Sequence, residues 1–350
     1  MASFSVCAES EAGGGSRMPG AFVISLDFEL HWGVRDKKAP SGNYRPNLLG
    51  ARRAIPRMLD SFERFGVAAT WATVGFLFAE SEEEMREAWP YLKPAYRDPA
   101  LNPYAELIGK DEQEDPLHYA PSLIAEIRRR QRQEIATHTF SHYYCLEPGQ
   151  SRETFAADLE SALRVARRRG ISIRSIVFPR NQVNPRYLPV LAMNGITCYR
   201  GNQSGWMHRA RAKGRDGALR RAARLADHYV SFSGANVTPW NQVLDSTGLC
   251  NVPASMFLRP YSPRLESCDA LRLRRIRSSI EAAATRGGIF HLWWHPHNFG
   301  RYTDQNLRFL DKVLQVFADC RDRYGMESLS MADVAVRARA SAEIRLAGKK

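Results

Sequence analysis

Two histidines close the stretch Glu134-Ile-Ala-Thr-His-Thr-Phe-Ser-His142, in the spacing H-x-x-x-H. At helical spacing both imidazoles fall on one side of a single turn, where they can face one metal ion. Alone, the pattern is equally compatible with ordinary polar residues at a strand end. An upstream stretch, Ser25-Leu-Asp-Phe-Glu-Leu-His31, adds carboxylates. Two histidines and one carboxylate make a three-ligand set for a divalent metal with an open position. With Glu29, His138 and His142 as the ligands, three further residues complete the parts that hydrolysis of an amide needs. Asp27 is the general base for water, Arg180 the cation that keeps Asp27 ionised, and His295 the general acid for the leaving nitrogen. His291 reads as a buried, hydrogen-bonded strand residue. His31, His118, His208 and His228 read as surface or loop residues, with His31 the one to keep in view.

These residues must be positioned by strands. Ala21 to Leu26 is a near-continuous apolar run, the mark of a strand buried on both faces, and Asp27 and Glu29 follow at its C-terminal end. The spacing predicts a helix over Asn47 to Phe65, stopped by Gly66, and a strand over Val67 to Val74. Trp89 to Pro121 reads as a long loop, and Pro121 to Gln133 as a basic helix ahead of the strand that delivers His138. Ser151 caps a helix to Arg169, and Ile171 to Phe178 is a strand ending in Pro179-Arg180. Strands at Ile196–Tyr199 and Ile289–Trp294 follow, with helices over Asn184–Asn194, Ser267–Arg286 and Asp304–Tyr324 and a last short strand at Met326–Leu329. A strand followed by a helix, at least six times, implies a mainly parallel sheet or barrel, and the polar motifs sit where such folds build their sites.

The chain of 350 residues is 44% hydrophobic, enough for a sizeable core and against wholesale disorder. Its net charge of +13 implies either an anionic partner or simply a solvated basic surface. Nucleic acid is not expected, because no binding motif appears. The six cysteines form no C-x-x-C pair and read as mostly buried thiols of a reducing compartment, Cys145 beside the histidine pair included, rather than as nucleophiles. Residues 1–20 read as a flexible tail without an apolar signal segment, 21–331 as one catalytic domain with loop insertions near 89–121 and 200–261, and 332–350 as a basic C-terminal helix or tail. A cytoplasmic location is expected. The basic run Met207 to Ala226 adds peripheral contact with an anionic membrane surface, at its inner face, as a further expectation.

Taken together, Asp27-Phe-Glu29, His138-Thr-Phe-Ser-His142, Pro179-Arg180 and His295 resemble, in order and in strand-end placement, the motifs of the polysaccharide deacetylases (carbohydrate esterase family 4, the NodB-homology fold). The resemblance spans about residues 21–329. It implies a deformed (β/α) barrel and a metal-dependent hydrolase that removes an acyl group from an amino sugar. The family's usual metal triad is Asp-His-His with a neighbouring Asp as base. Here Phe28 separates Asp27 from Glu29, so the two carboxylates can exchange roles, and the usual Arg-Pro order is reversed. Trp206 substitutes for an apolar wall. Trp32, Tyr143 and Trp240 are rings able to stack on a sugar, and His297 joins them as a substrate contact.

The expected activity is therefore removal of an N-acyl group, N-acetyl first, from an amino sugar in a surface polysaccharide or its nucleotide- or lipid-linked precursor. One divalent transition metal, zinc by ligand type, is the expected cofactor. The alternative is an amidase acting on a non-sugar N-acyl, ureide or cyclic imide substrate through the same site. A non-haem iron oxygenase shares the ligand set but sits on an antiparallel barrel, and a binding protein would have no need of the full set of acid, base and ligands.

Overall fold

The computed structural model describes residues 18–203, 217–230 and 234–347. Trp206, His208 and most of the basic run before Ala218 lie outside the described residues, as does the chain before Met18. The strands are β1 (Ala21–Phe28), β2 (Ala69–Thr73), β3 (Gln133–Thr137), β4 (Ser175–Ile176), β5 (Cys198–Tyr199), β6 (Thr238–Pro239), β7 (Cys250–Asn251), β8 (Met256–Phe257), β9 (Gly288–Trp294) and β10 (Glu327–Leu329). The helices are α1 (Arg45–Phe65), α2 (Glu82–Glu87), α3 (Pro121–Arg129), α4 (Arg152–Arg168), α5 (Leu188–Met193), α6 (Ala218–Asp227), α7 (Asp269–Arg286), α8 (Thr303–Tyr324) and α9 (Met331–Ala347).

The strands form one curled sheet, a half-barrel in the order β8-β9-β1-β2-β3-β4-β5-β7, every pair in that order parallel. Among the described strands only β6, at the start of β9, runs antiparallel. β10 pairs with the first half of β1, and β2 with its second half. This is the deformed (β/α) barrel that the strand–helix alternation and the motif order imply.

The sequence of β1 shows how the barrel is filled. Side chains alternate across a strand. Phe22, Ile24, Leu26 and Phe28 belong to the large apolar cluster shared with α1, α7 and α8. Ala21 and Val23 belong to a second cluster, with Ala72, Val177, Cys198 and Cys250, on the inside of the curl. Ser25 and Asp27 continue that inner face, so the interior turns from apolar to polar toward the C-terminal end. α9 closes the apolar end: Met331, Val334, Ala335 and Ala338 pack into the inner cluster. Glu134 holds the start of that helix, accepting from Ala332 N at 3.1 Å and from Thr70 Oγ1 at 2.7 Å. The C-terminal segment is thus a packed part of the fold as far as Ala338.

One register line places the chemistry. Phe28 aligns with Thr73, Thr73 with Thr137, Thr137 with Ile176, and Ile176 with Tyr199. After the ends of β1, β3 and β5 the next residues in the chain are Glu29, His138 and Arg200. On the other side Leu26 aligns with Trp294, which precedes His295.

Candidate metal centre and its surroundings

Glu29, His138 and His142 converge at the end of β1 and β3. Glu29 Oε2 lies 3.2 Å from His138 Nε2 and 3.0 Å from His142 Nε2, and all three residues are buried. His138 Nδ1 donates to the Val177 carbonyl at 2.8 Å. A neutral imidazole has one N–H, so this bond leaves a lone pair on Nε2, aimed at a carboxylate oxygen. That nitrogen is buried with no hydrogen-bond partner. A cation among the three atoms removes the conflict, and the donor set of two nitrogens and one carboxylate oxygen suits a divalent transition metal. The residues therefore fit the metal that the motif implies.

The turn that presents the two histidines differs from the helical turn expected. Residues 138–142 form an irregular loop in which Thr139 (φ 65) and His142 (φ 57) are left-handed. That conformation is unfavourable for a β-branched residue and persists only where the surroundings over-determine it. Here they do. Thr139 Oγ1 accepts from Tyr143 N at 2.7 Å, Asp158 accepts from Phe140 N at 2.7 Å and Ser141 N at 3.1 Å, and Gly75 N donates to the Thr139 carbonyl at 2.9 Å. Gly75 is required by the close approach: a Cβ there would lie 2.7 Å from Phe140 Cα.

Asp27 faces Arg200. Its two oxygens accept from Arg200 Nη1 at 2.6 Å and Nη2 at 2.8 Å. Arg200 also donates to Ser25 Oγ and Asn181 Oδ1, and its guanidinium lies 4.2 Å over the Trp293 ring. Burial pushes the Asp27 carboxyl up, but the Arg200 charge and the hydrogen bonds it donates, with the nearby His138 and His295 imidazoles, bring it below its ordinary value. Burial likewise opposes ionisation of Glu29, and the imidazoles around it, His295 first, more than offset that and hold it well below the usual range. Burial lowers His142 to about 4 against the pull of Glu29, so the ring is neutral, as a metal ligand must be.

His295 Nε2 lies 3.8 Å from Asp27 Oδ2 and 3.5 Å from Glu29 Oε1. Tyr44 donates to Asn298 Oδ1 at 3.0 Å, which turns Asn298 Nδ2 toward His295 Nδ1 at 3.4 Å. With Nδ1 accepting, the His295 proton sits on Nε2 and points at the two carboxylates. His291 is buried beneath, between the Val252 carbonyl and Ser25 Oγ. His297 is buried, stacked on His295 with ring centroids 5.1 Å apart.

Five expectations change. Arg180 does not reach Asp27; it pairs with Asp36 at 2.6 Å and lies 4.2 Å over the Tyr144 ring, which packs against His142. Its backbone is left-handed (φ 56), and its side chain lies against Asp36 and Tyr144 rather than β1. Trp32 is 1% exposed, its Nε1 donating to the His118 carbonyl and its ring against Phe76, so it offers no face to a ligand. Tyr143 is wholly buried, with its hydroxyl shared with Thr154 and donating to the Ser151 carbonyl. Trp240 is buried as well, donating to the Pro19 carbonyl. His297, being buried, stands behind His295 rather than beside an open surface.

Two features were missed. Arg200 follows a strand end just as Glu29 and His138 do, a signal present in the chain but weaker than the Pro-Arg motif. Trp293 is half-buried, with Phe257 at 4.7 Å and His295 at 5.6 Å, and makes an apolar wall beside the acid. It shares strand parity with His291 and His295, which was the available signal.

No helix among the described residues is long and apolar enough to cross a membrane. The sequence matches no protein-family profile, and no curated protein matches it. Solved structures do resemble it. A protein described as a polysaccharide deacetylase from Mycobacterium smegmatis superposes with a TM-score of 0.61 at 15% identity, over 96% of each chain. One described as a polysaccharide deacetylase from Pseudomonas aeruginosa gives a TM-score of 0.53 at 10% identity, over 93% of this chain and 96% of that one. An allantoinase gives 0.53 at 11% identity, over 96% of this chain and 98% of that one. At such identities the likeness is one of fold, and with the half-barrel and the order of its strand-end motifs it gives this chain the polysaccharide-deacetylase, or NodB-homology, fold.

Proposed function

We propose that the chain is a metal-dependent hydrolase that cleaves a linear carbon–nitrogen amide bond, removing an N-acyl group, N-acetyl first, from an amino sugar. The observation that carries this reading is the division of labour at the end of β1. Glu29 faces two imidazoles, while Asp27, two residues earlier, is held ionised by Arg200 and shares His295 with it. The distances favour Glu29 with His138 Nε2 and His142 Nε2 as the metal-holding set and Asp27 as the base. A divalent ion bound there lowers the pKa of water and polarises a carbonyl oxygen. Asp27 takes the proton of the attacking water. His295 gives its Nε2 proton to the departing nitrogen, and the amide and water become a carboxylic acid and an amine. Arg200 keeps Asp27 in its basic form, and Asn298 holds His295 in the tautomer with a proton to give. His297 positions His295 by stacking. Zinc is the metal proposed, from the ligand types.

An open groove of about 290 Å³ beside Asn298 is lined by Lys38, Tyr44, Tyr261, Arg301 and Tyr302. Aromatic faces next to cations suit a sugar carrying phosphate, which supports a nucleotide- or lipid-linked precursor over a neutral polymer. A second reading, an amidase for a non-sugar ureide or cyclic imide, is supported by the fold likeness to an allantoinase. The test is acid release by zinc-loaded protein from two panels, N-acetylated sugars and their phosphate-bearing derivatives against ureides and cyclic imides. Acetate from the first panel, lost in Asp27→Asn, is the expected result. Turnover of the second alone replaces the sugar reading, and turnover of neither removes both.

A further inference from the structure

A second group of ligating side chains meets apart from the centre described above. His31 lies in the short turn after β1, and His118 and Glu106 lie in the long segment between α2 and α3. The backbone joins them: His31 N donates to the Leu117 carbonyl at 3.2 Å.

The hydrogen bonds on the outer sides of the two rings fix their tautomers. His31 Nε2 donates to the Lys38 carbonyl at 2.8 Å, and His118 Nδ1 donates to Asp115 Oδ2 at 2.6 Å. Each neutral ring has a single N–H, and both are spent outward. His31 Nδ1 and His118 Nε2 nevertheless face each other at 2.9 Å. Two lone pairs at that distance repel unless a cation lies among them. Glu106 Oε1 completes a triangle, 3.7 Å from His31 Nδ1 and 3.9 Å from His118 Nε2. From these three distances, a point equidistant from the atoms lies about 2.1 Å from each, the length of a zinc–nitrogen or zinc–oxygen bond. Asp115 on the far side of His118 is the carboxylate–histidine arrangement that orients metal-ligating imidazoles. Both histidines are buried, and Glu106 keeps 21% of its side chain exposed, which gives an ion a way in.

We propose that His31, His118 and Glu106 form a second, structural site for a divalent transition metal of the zinc type, with Asp115 positioning His118. The site pins a segment that has no long helix or strand between Trp89 and Ala120: its local order is two single 3-10 turns, Pro99–Leu101 and Pro103–Ala105, hydrogen-bonded turns at 112–114 and 116–118, and an isolated bridge. It also braces the base of the first centre. His31 is two residues after Glu29, and the same turn brings Gly33 so close that a Cβ there would lie 1.9 Å from the Glu29 carboxyl carbon.

The competing arrangement is a proton in place of the metal: a His118 imidazolium donating to His31, balanced by Asp115 and Glu106. The two are separated by metal content, with no reference to activity. The His138→Ala/His142→Ala variant is stripped with chelator, reloaded with Zn²⁺, desalted and analysed by elemental mass spectrometry. About one equivalent of zinc is expected to remain, to disappear when His118→Ala is added, and to bind about 10–100-fold more weakly with Asp115→Asn. Should the double variant not fold, the same count is made on the unaltered chain, where Glu106→Gln is expected to reduce two equivalents to one. A folded double variant without zinc, or zinc that His118→Ala and Glu106→Gln leave in place, overturns the second site. Because the first centre is absent from the double variant, its own failure to bind metal cannot mimic either result.

Discussion

Removing Arg200 separates the two influences on Asp27. Burial alone raises a carboxyl pKa, and the Arg200 charge is the largest force against it. In Arg200→Gln the Asp27 pKa is expected to rise, because the desolvation stays and the counter-charge goes. A higher pKa leaves less carboxylate at a given pH, so the acidic limb of the kcat/KM profile moves upward in pH while the alkaline limb stays. Stability falls by about 3–5 kcal/mol, as for other broken buried pairs, readable as a lower denaturant midpoint. Arg180→Gln leaves that limb where it is, since its partner is Asp36; an equal shift in both variants would defeat the assignment. The residue scale is also where the sequence was least legible. Glu29, His138, His142, Asp27 and His295 announce themselves by type and by following apolar runs, and they do come together. The partner of a carboxylate does not announce itself. Two arginines follow neighbouring strand ends; Arg200 reaches β1, and Arg180, in a left-handed turn, pairs with Asp36 instead. Aromatic residues are worse still: Trp32 and Tyr143 border the motifs in sequence, yet their rings fill the core, and Trp293, within an apolar strand, is only half-buried.

At the scale of elements, the helices and the long strands were readable because their signals are local. α1 stops at Gly66 in a left-handed conformation, and Ser151 caps α4 with a reciprocal bond from Thr154. The H-x-x-x-H segment was not readable, because what shapes it is distant in sequence: Asp158 from α4 and Gly75 after β2. β4 is similarly shorter than the apolar run Ile171 to Phe178 suggests. It meets β3 only at Thr137 and Ile176, so just the end that carries the site is laddered. The loop's dependence on Asp158 gives a prediction. Both Asp158 oxygens accept, from two backbone N–H groups and the Ser141 hydroxyl. In Asp158→Asn an NH₂ must face one of those donors, leaving it unsatisfied at a cost of about 1–3 kcal/mol. The variant is expected to fold, to melt earlier and to bind metal at the His138–His142 centre more weakly. Gly75→Ala acts from the other side by pushing Phe140 outward, with the same two readouts. Unchanged metal affinity in both would mean that the loop holds its shape without these supports.

For the molecule as a whole, the question is whether metal makes the fold or only the site. Small metal-dependent domains unfold when the ion is removed because nothing else holds them. Here the large apolar cluster runs from Phe22 on β1 to Met326 beside β10 and includes residues of α1, α3, α4, α7 and α8. The inner cluster closes on α9. None of those contacts passes through a ligating atom, and the order of strands and helices was legible from apolar periodicity alone for the same reason. Removing metal with chelator is therefore expected to abolish amide hydrolysis and to leave the far-UV circular dichroism spectrum almost unchanged. The thermal midpoint should nonetheless drop, because an ion that binds only the folded chain stabilises it by mass action, by about 2.7 kcal/mol at a free concentration one hundred times its Kd. Adding back Zn²⁺ should restore the midpoint in proportion to the logarithm of its concentration. Collapse of the helical signal on chelation would show that the core does not stand alone, and a midpoint insensitive to zinc would remove the metal from both the site and the mechanism.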